Sequence, residues 1–144
     1  MNDAKQVSTT LQIRAASSGL HEITDSIREW LDSERIESGL LTIFCAHTSA
    51  SLVIQENAAR AARQDLERFF EHVAPEYPSL YTHNDEGPDD MPAHIRSALT
   101  QTQLSIPVQA GKMVLGTWQG IFLFEHRHST PTRTIALHVI GEVR

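Results

Sequence analysis

Two histidines and three aspartates lie close together between positions 83 and 94. The members of this cluster are His83, Asp85, Asp89, Asp90 and His94. Imidazole suits zinc, carboxylates suit magnesium, and the first turn of a helix offers free N–H groups to a phosphate. The cluster therefore predicts a site for a divalent metal ion, zinc or magnesium, or for a phosphate. Its spacing matches no dedicated zinc motif, and an ordinary group of polar residues in a solvated loop is the alternative.

A short helix is predicted directly after this loop, with Asp89 or Asp90 at its start and Pro92 in its first turn. Asp90 and His94 are four positions apart, so they share one face of that helix. They are the preferred metal ligands of the cluster.

A thiol and an imidazole stand two positions apart at Cys45 and His47, where an apolar run ends in a small polar turn that contains Ser49. Residues two apart on a strand point to the same face. Nucleophilic catalysis by the pair is one interpretation, but the sequence shows no third group to orient it. A buried cysteine beside a hydrogen-bonded histidine is the simpler one. His47 is the stronger candidate, as a catalytic base or a metal ligand.

We predict that His47 and His94 converge on one site, with His47, Asp90 and His94 as the metal ligands. The first ends a strand and the second begins a helix after the longest loop, which is where sheet domains assemble ligand groups.

Strand-like sequence surrounds a further polar group between positions 103 and 133. Trp118 and Gln119 lie between Gly116 and Gly120, which let a ligand approach an aromatic ring closely. Trp118 is therefore a candidate platform for a substrate ring, and a core position is the alternative.

Charged residues follow where the apolar strand ends, at Glu125, Arg127 and Arg133. Glu125 can act as an acid, a base or a metal ligand, and the two arginines can hold a phosphate by paired hydrogen bonds. A cross-strand ion pair between Glu125 and Arg127 is the alternative.

Several of these motifs occur together in one known family. The run Gly116-Thr117-Trp118-Gln119 with Ser105-x-Pro107 and Gly111, the run Phe44-Cys45-x-His47-Thr48-Ser49-Ala50, and the segment His83 to His94 resemble the YjbQ family, also called secondary thiamine-phosphate synthases. The resemblance extends from about Thr10 to Arg144. Gln55 departs from the asparagine common at its position.

The resemblance implies a homotrimer with a pocket near the subunit contacts. It also implies the transfer of a pyrimidine pyrophosphate onto a thiazole phosphate, with release of pyrophosphate, as a weak or secondary activity. The catalytic residues would be His47, Glu125 and Arg127, and the substrate-binding residues would be Ser49, Trp118, Gln119 and Arg133. The alternatives are a metal-dependent hydrolase of a small phosphorylated molecule and a non-catalytic trimeric ligand-binding module.

Alternating and helical apolar patterns predict an α+β fold with about seven strands and two to three helices on one side. The resemblance adds that the sheet is mixed and folded into a half-barrel. The run from Leu40 to His47 predicts a central strand buried on both faces, and Gly39 is expected to end the first helix. Pro107 cannot donate to a ladder, which predicts an edge or a bulge there.

The whole chain, 1–144, is predicted to form one domain, because 144 residues are too few for two ordinary ones. A formal net charge of -6 argues against nucleic-acid and anionic-membrane binding, so a phosphorylated substrate must meet a local basic cluster. No apolar run reaches the length of a membrane helix, and the single cysteine fits a reducing compartment. We therefore expect a cytoplasmic protein.

Overall fold

The computed structural model describes residues 3–144 and confirms the α+β class. The strands are β1 Ala4–Ile13, β2 Gly19–Glu22, β3 Ile36–Cys45, β4 Ala50–Glu56, β5 Gln103–Gln109, β6 Lys112–Met113, β7 Gln119–Glu125 and β8 Arg133–Val143. The helices are α1 Thr24–Glu34, α2 Arg60–Val73 and α3 Asp90–Leu99, with one further 3-10 turn at Pro78–Leu80.

The strands form two sheets rather than one. The larger sheet has the order β1-β8-β3-β5-β6 and the smaller one β2-β7-β4. Every strand pair between residues 3 and 144 is antiparallel, so the sheets are not mixed, and neither closes on itself. Antiparallel neighbours need no long crossover connection.

The main core lies between the two sheets. Alternate residues of β3, β5 and β8 face inward, and Leu41, Ile43, Leu137 and Val139 among them are fully buried. Helix α1 closes this core with Ile27 and Leu31. The period of two in the sequence therefore identifies the buried faces of β5 and β8 correctly.

A second, smaller core lies on the other face of the smaller sheet. Phe122 and Phe124 of β7 point there, and Leu66 and Phe70 of α2 pack against them. Neighbouring side chains of β7 point to opposite faces, and each face packs against a core, so this strand is buried along almost its whole length. The smaller sheet therefore lies between the larger sheet and α2.

The expectation that β3 is buried on both faces is wrong. Leu40 and Phe44 are each 43% exposed, because no helix within residues 3–144 covers the outer face of the larger sheet. Pro107 lies directly beside Leu40 in β5, and only the last residues of β5 pair onward with β6. The missing N–H of Pro107 therefore falls close to a sheet edge, as predicted.

Gly39 does not end α1, which stops at Arg35 in the left-handed conformation (φ 59°). Gly39 lies instead within β3, opposite Gly141 of β8. A Cβ added to Gly39 would lie 2.3 Å from the carbonyl oxygen of Ile140. The two glycines allow the backbones of two central strands to approach closely.

Within residues 3–144, no helix is long and apolar enough to cross a membrane.

We predict that Gly39→Ala destabilises the protein by about 1–3 kcal/mol, the usual cost of overpacking, because backbone atoms of β8 must move. Urea unfolding measures the change. Gly116→Ala is the matched control, since a Cβ there meets only the Gln119 side chain, at 3.2 Å. Equal stability of the Gly39→Ala protein and the wild type would contradict the close approach.

Candidate functional site

A buried ion pair joins the two sheets where β7 ends and β8 begins. Arg133 donates from Nε to Oε1 of Glu125 over 2.8 Å and from Nη2 to Oε2. The exposed fractions are 1% for Glu125 and 3% for Arg133. Arg133 also donates to the carbonyl oxygen of Ser49 over 3.0 Å, and the backbone N–H of Arg127 donates to Glu125. This pairing replaces the cross-strand pair expected between Glu125 and Arg127.

The guanidinium group of Arg127 points away from this pair and towards the start of α3. It donates from Nη1 to Asp90 over 2.6 Å, from Nε to Asp89 over 3.2 Å and from Nη2 to the carbonyl oxygen of Glu86 over 2.8 Å. Its donors are thereby engaged with the protein. Arg127 fixes the loop before α3 onto the end of β7.

Asp90 binds two imidazoles through its other carboxylate oxygen. Its Oδ2 lies 2.9 Å from Nε2 of His83 and 3.2 Å from Nε2 of His94. The three ligand atoms lie within 4.8 Å of one another. In a tetrahedral zinc site with bonds of about 2.0–2.1 Å, ligand atoms are about 3.3 Å apart, so this spacing fits a metal ion. Among residues 3–144 this is the one group of three or more potential ligands with such spacing.

Both aspartates are ionised at neutral pH. Burial raises the pKa of the Asp90 carboxyl, but the hydrogen bond with His83 and the charges of His94 and Arg127 outweigh burial and lower it below the ordinary value. Burial also raises the pKa of Asp89, and the N–H of His128 together with Arg127 lowers it further than burial raises it. The Asp90 carboxylate therefore carries the negative charge that a metal ligand needs, and Asp89 carries the charge that holds Arg127.

The predicted metal ligand His47 lies elsewhere in the chain's fold, and His83 takes its place in the group. Nε2 of His47 accepts a hydrogen bond from the backbone N–H of Thr134 over 2.7 Å. Burial and the charge of Arg133 lower the pKa of His47, so the imidazole is neutral and its proton is on Nδ1. Among residues 3–144, His47 is not one of the three side chains whose ligand atoms lie within 4.8 Å of one another, and its convergence with His94 stays a prediction.

Cys45 is fully buried, and its thiol donates to the carbonyl oxygen of Ala50 over 3.5 Å. Burial raises the pKa of the thiol to about 11. The thiolate is the nucleophilic form of cysteine, so the chemistry of this site does not favour a Cys45–His47 nucleophile.

The predicted substrate-binding residues are spread over the molecule. The Trp118 ring is 63% exposed, and Gln119 caps its own turn by accepting the N–H of Gly116 over 2.7 Å. Ser49 lines an open cavity of about 560 Å³ together with His47. The roles of these residues in substrate binding stay predictions.

One buried polar group had no signal in the sequence. His126 is 1% exposed, and its Nε2 lies 2.9 Å from the hydroxyl of Ser51. Burial lowers the pKa of His126 to about 3, and Arg96 and Arg133 contribute to the shift. The period of two along β7 predicts only that its side chain points to the face opposite Glu125.

The fold and the site together define a class: a two-sheet α+β protein with a His-Asp-His group held at the end of a central strand. The chain belongs to the YjbQ family, since the family model described as UPF0047 protein YjbQ-like matches residues 9–142.

Two bacterial relatives cover nearly the whole chain. A UPF0047 protein from Synechocystis is 46% identical over 96% of this chain and 95% of its own length. The UPF0047 protein YjbQ of Escherichia coli O157:H7 is 45% identical over 92% of this chain and 96% of its own. A solved structure from Sulfolobus solfataricus, described as a YbjQ-like protein of unknown function, superposes with a TM-score of 0.88 at 27% identity, covering 97% of this chain and 100% of that one.

The expectation of a thiamine-phosphate synthase is wrong. These bacterial relatives are named only as UPF0047 proteins, the Sulfolobus protein is described as having unknown function, and none is described with that activity. The geometry of the chain agrees with this correction. Arg127 and Arg133, the candidate arginines for holding a phosphate, are both engaged with carboxylates of the chain itself.

We predict that Arg133→Met costs about 3–5 kcal/mol of stability, because it leaves the Glu125 carboxylate buried without its partner. Removing both charges in Glu125→Met, Arg133→Met should cost less than the single change. Urea unfolding of both variants measures the difference. A single variant as stable as the wild type, or a double variant no more stable than the single one, would contradict the account of the pair.

Proposed function

We propose that the protein binds a divalent transition-metal ion through His83, Asp90 and His94 and uses it for hydrolytic chemistry. The observation that supports this most directly is the convergence of three ligand atoms within 4.8 Å. Two imidazoles and one carboxylate favour zinc over magnesium, which prefers oxygen ligands throughout. An ion with three protein ligands keeps one position open and lowers the pKa of a water bound there, which hydrolytic metal enzymes use.

The residues around the ligands have positioning roles in this proposal. Arg127 holds Oδ1 of Asp90, which directs Oδ2 towards the two histidines. Asp89 holds both the side chain of Arg127 and the backbone N–H of His128. Such groups behind the ligands fix their orientation and raise metal affinity. His83 is more exposed than Asp90, so the open side of the site faces solvent through His83.

We expect the purified protein to carry one equivalent of zinc, which a chelator removes. The His94→Ala and His83→Ala proteins should each lose the zinc, because the two remaining ligands hold an ion weakly. Elemental analysis by mass spectrometry measures the content. His72→Ala, at an exposed position of α2, is the matched control and should keep the metal. Hydrolysis of chromogenic p-nitrophenyl esters and phosphates, measured with and without chelator, tests the activity. Zinc uptake by the His94→Ala protein equal to that of the wild type would contradict the ligand assignment.

We further propose that the protein is a homotrimer that acts in the cytoplasm. The support for association is the uncovered outer face of the larger sheet. Leu40 of β3 and Ile140 of β8 are direct neighbours there, and Ile140 is 50% exposed. Phe44 continues the same face. Apolar surface of this kind on a small chain favours burial against another copy. The number three comes from the family resemblance, and the unpaired buried Cys45 fits a reducing compartment.

Light scattering should then give about three times the chain mass of 16.1 kDa, and Phe44→Lys should shift the mass towards the monomer, because a charge replaces apolar surface in the contact. Phe69→Lys is the matched control, since Phe69 is 57% exposed on α2 rather than on the sheet. A wild-type mass of one chain at micromolar concentration would end the proposal, and so would a Phe44→Lys protein of unchanged mass.

A further inference from the structure

A second polar cavity lies away from the His83–Asp90–His94 group, between the residues that lead into β2 and the first turns of α2. Its volume is about 550 Å³. Arg60, Arg63 and Gln64 of α2 line one side, and Ser18 and His21 line the other. The cavity is thus large enough for a small metabolite and is lined mostly by hydrogen-bonding groups.

Two arginines of this cavity have no carboxylate partner. Neither Arg60 nor Arg63 forms an ion pair with any residue in the range 3–144, whereas Arg68 of the same helix pairs with Asp65 over 3.3 Å. The chain carries a net charge of -6, so acidic side chains are abundant. Glu67 also lines the cavity but forms no ion pair with either arginine within residues 3–144, so both cations keep hydrogen-bond donors available to a ligand.

Arg63 is held in place without using up those donors. Its guanidinium carbon lies 5.2 Å from the centre of the Phe122 ring, which is fully buried. Stacking on an aromatic face orients a guanidinium group by cation–π attraction. Nε of Arg63 is itself buried and has no hydrogen-bond acceptor. An oriented, incompletely bonded guanidinium group is suited to an oxyanion.

The position of the two arginines in α2 is also unfavourable for the isolated chain. Both lie in the first turn, which contains no acidic residue. The positive end of the helix dipole repels cations there. The Glu56 carboxylate accepts the N–H groups of Ala58 and Ala59 before the helix, and a bound anion would offset the repulsion of the two arginines further.

We propose that this cavity binds a small molecule through a phosphoryl group, with Arg60 and Arg63 as its two cationic contacts. A phosphate monoester carries a charge of about -1.5 to -2 at neutral pH, which two arginines balance. The carboxylate of Glu67 also lines the cavity and packs against Gly19. An ionised carboxylate can only accept hydrogen bonds, so Glu67 favours a ligand that carries a hydroxyl or amino group beside the phosphoryl group.

Calorimetric titration with inorganic phosphate, pyrophosphate and glycerol phosphate tests the proposal. The protein is first treated with chelator, so that phosphate on a metal at His83, Asp90 and His94 does not contribute and the two sites are measured separately. We expect Arg60→Gln and Arg63→Gln each to weaken binding by about tenfold or more, the loss of one charge-assisted hydrogen bond. Arg68→Gln is the matched control and should bind as the wild type does.

Three results would overturn the proposal. They are the absence of wild-type binding at millimolar phosphate esters, equal binding of acetate, and equal losses in the Arg68→Gln protein. Urea unfolding of each variant establishes that it is folded. Arg60 is exposed and takes no part in the Phe122 contact, so its variant tests the cavity even where Arg63→Gln is unstable.

Discussion

The buried pair of Glu125 and Arg133 is the constraint on which the rest of the site depends. Glu125 belongs to the smaller sheet and Arg133 to the larger one, so the pair places an ionic contact beside the apolar core between the two sheets. Burying two charges costs several kcal/mol per ion unless their hydrogen bonds are satisfied. Here the carbonyl oxygen of Ser49 and the N–H of Arg127 complete the set. The chain between the two strands is thereby fixed at both ends.

The three consecutive residues from Glu125 to Arg127, at the end of β7, lie in different environments. Glu125 faces the core between the sheets, and His126 faces the opposite side with Phe124, whose ring centre is 4.3 Å away. Arg127 leaves the strand and holds Asp89 and Asp90. The alternation of the strand thus sends the acid and the neutral imidazole to opposite faces, and the end of the strand allows the cation to reach a third place. The start of α3, and with it the histidine pair around Asp90, is positioned by that cation.

Arginine has a different role in each of the two proposed sites. Around Asp90, Arg127 is engaged by carboxylates and a carbonyl oxygen, so it organises protein groups for a cation. At the start of α2, Arg60 and Arg63 lack carboxylate partners within residues 3–144, and their charge is left for an anion. A contact network links the two regions. Nδ1 of His128 lies 3.3 Å from the hydroxyl of Ser18 in the cavity, while the backbone N–H of the same residue donates to Asp89.

By itself the sequence determined the α+β class, the inward faces of β5 and β8 and the joint placement of Asp90 and His94, because these follow from periods of two and of 3.6 residues. The motifs of the YjbQ family could also be recognised from the sequence alone. Tertiary structure alone decided that His83 rather than His47 accompanies Asp90, that Glu125 pairs with Arg133, and that Gly39 faces Gly141. Each depends on which distant segments meet, and local spacing carries no information about that. The open outer face beside Leu40 has the same origin, since an apolar run does not specify whether a helix will cover both sides of its strand.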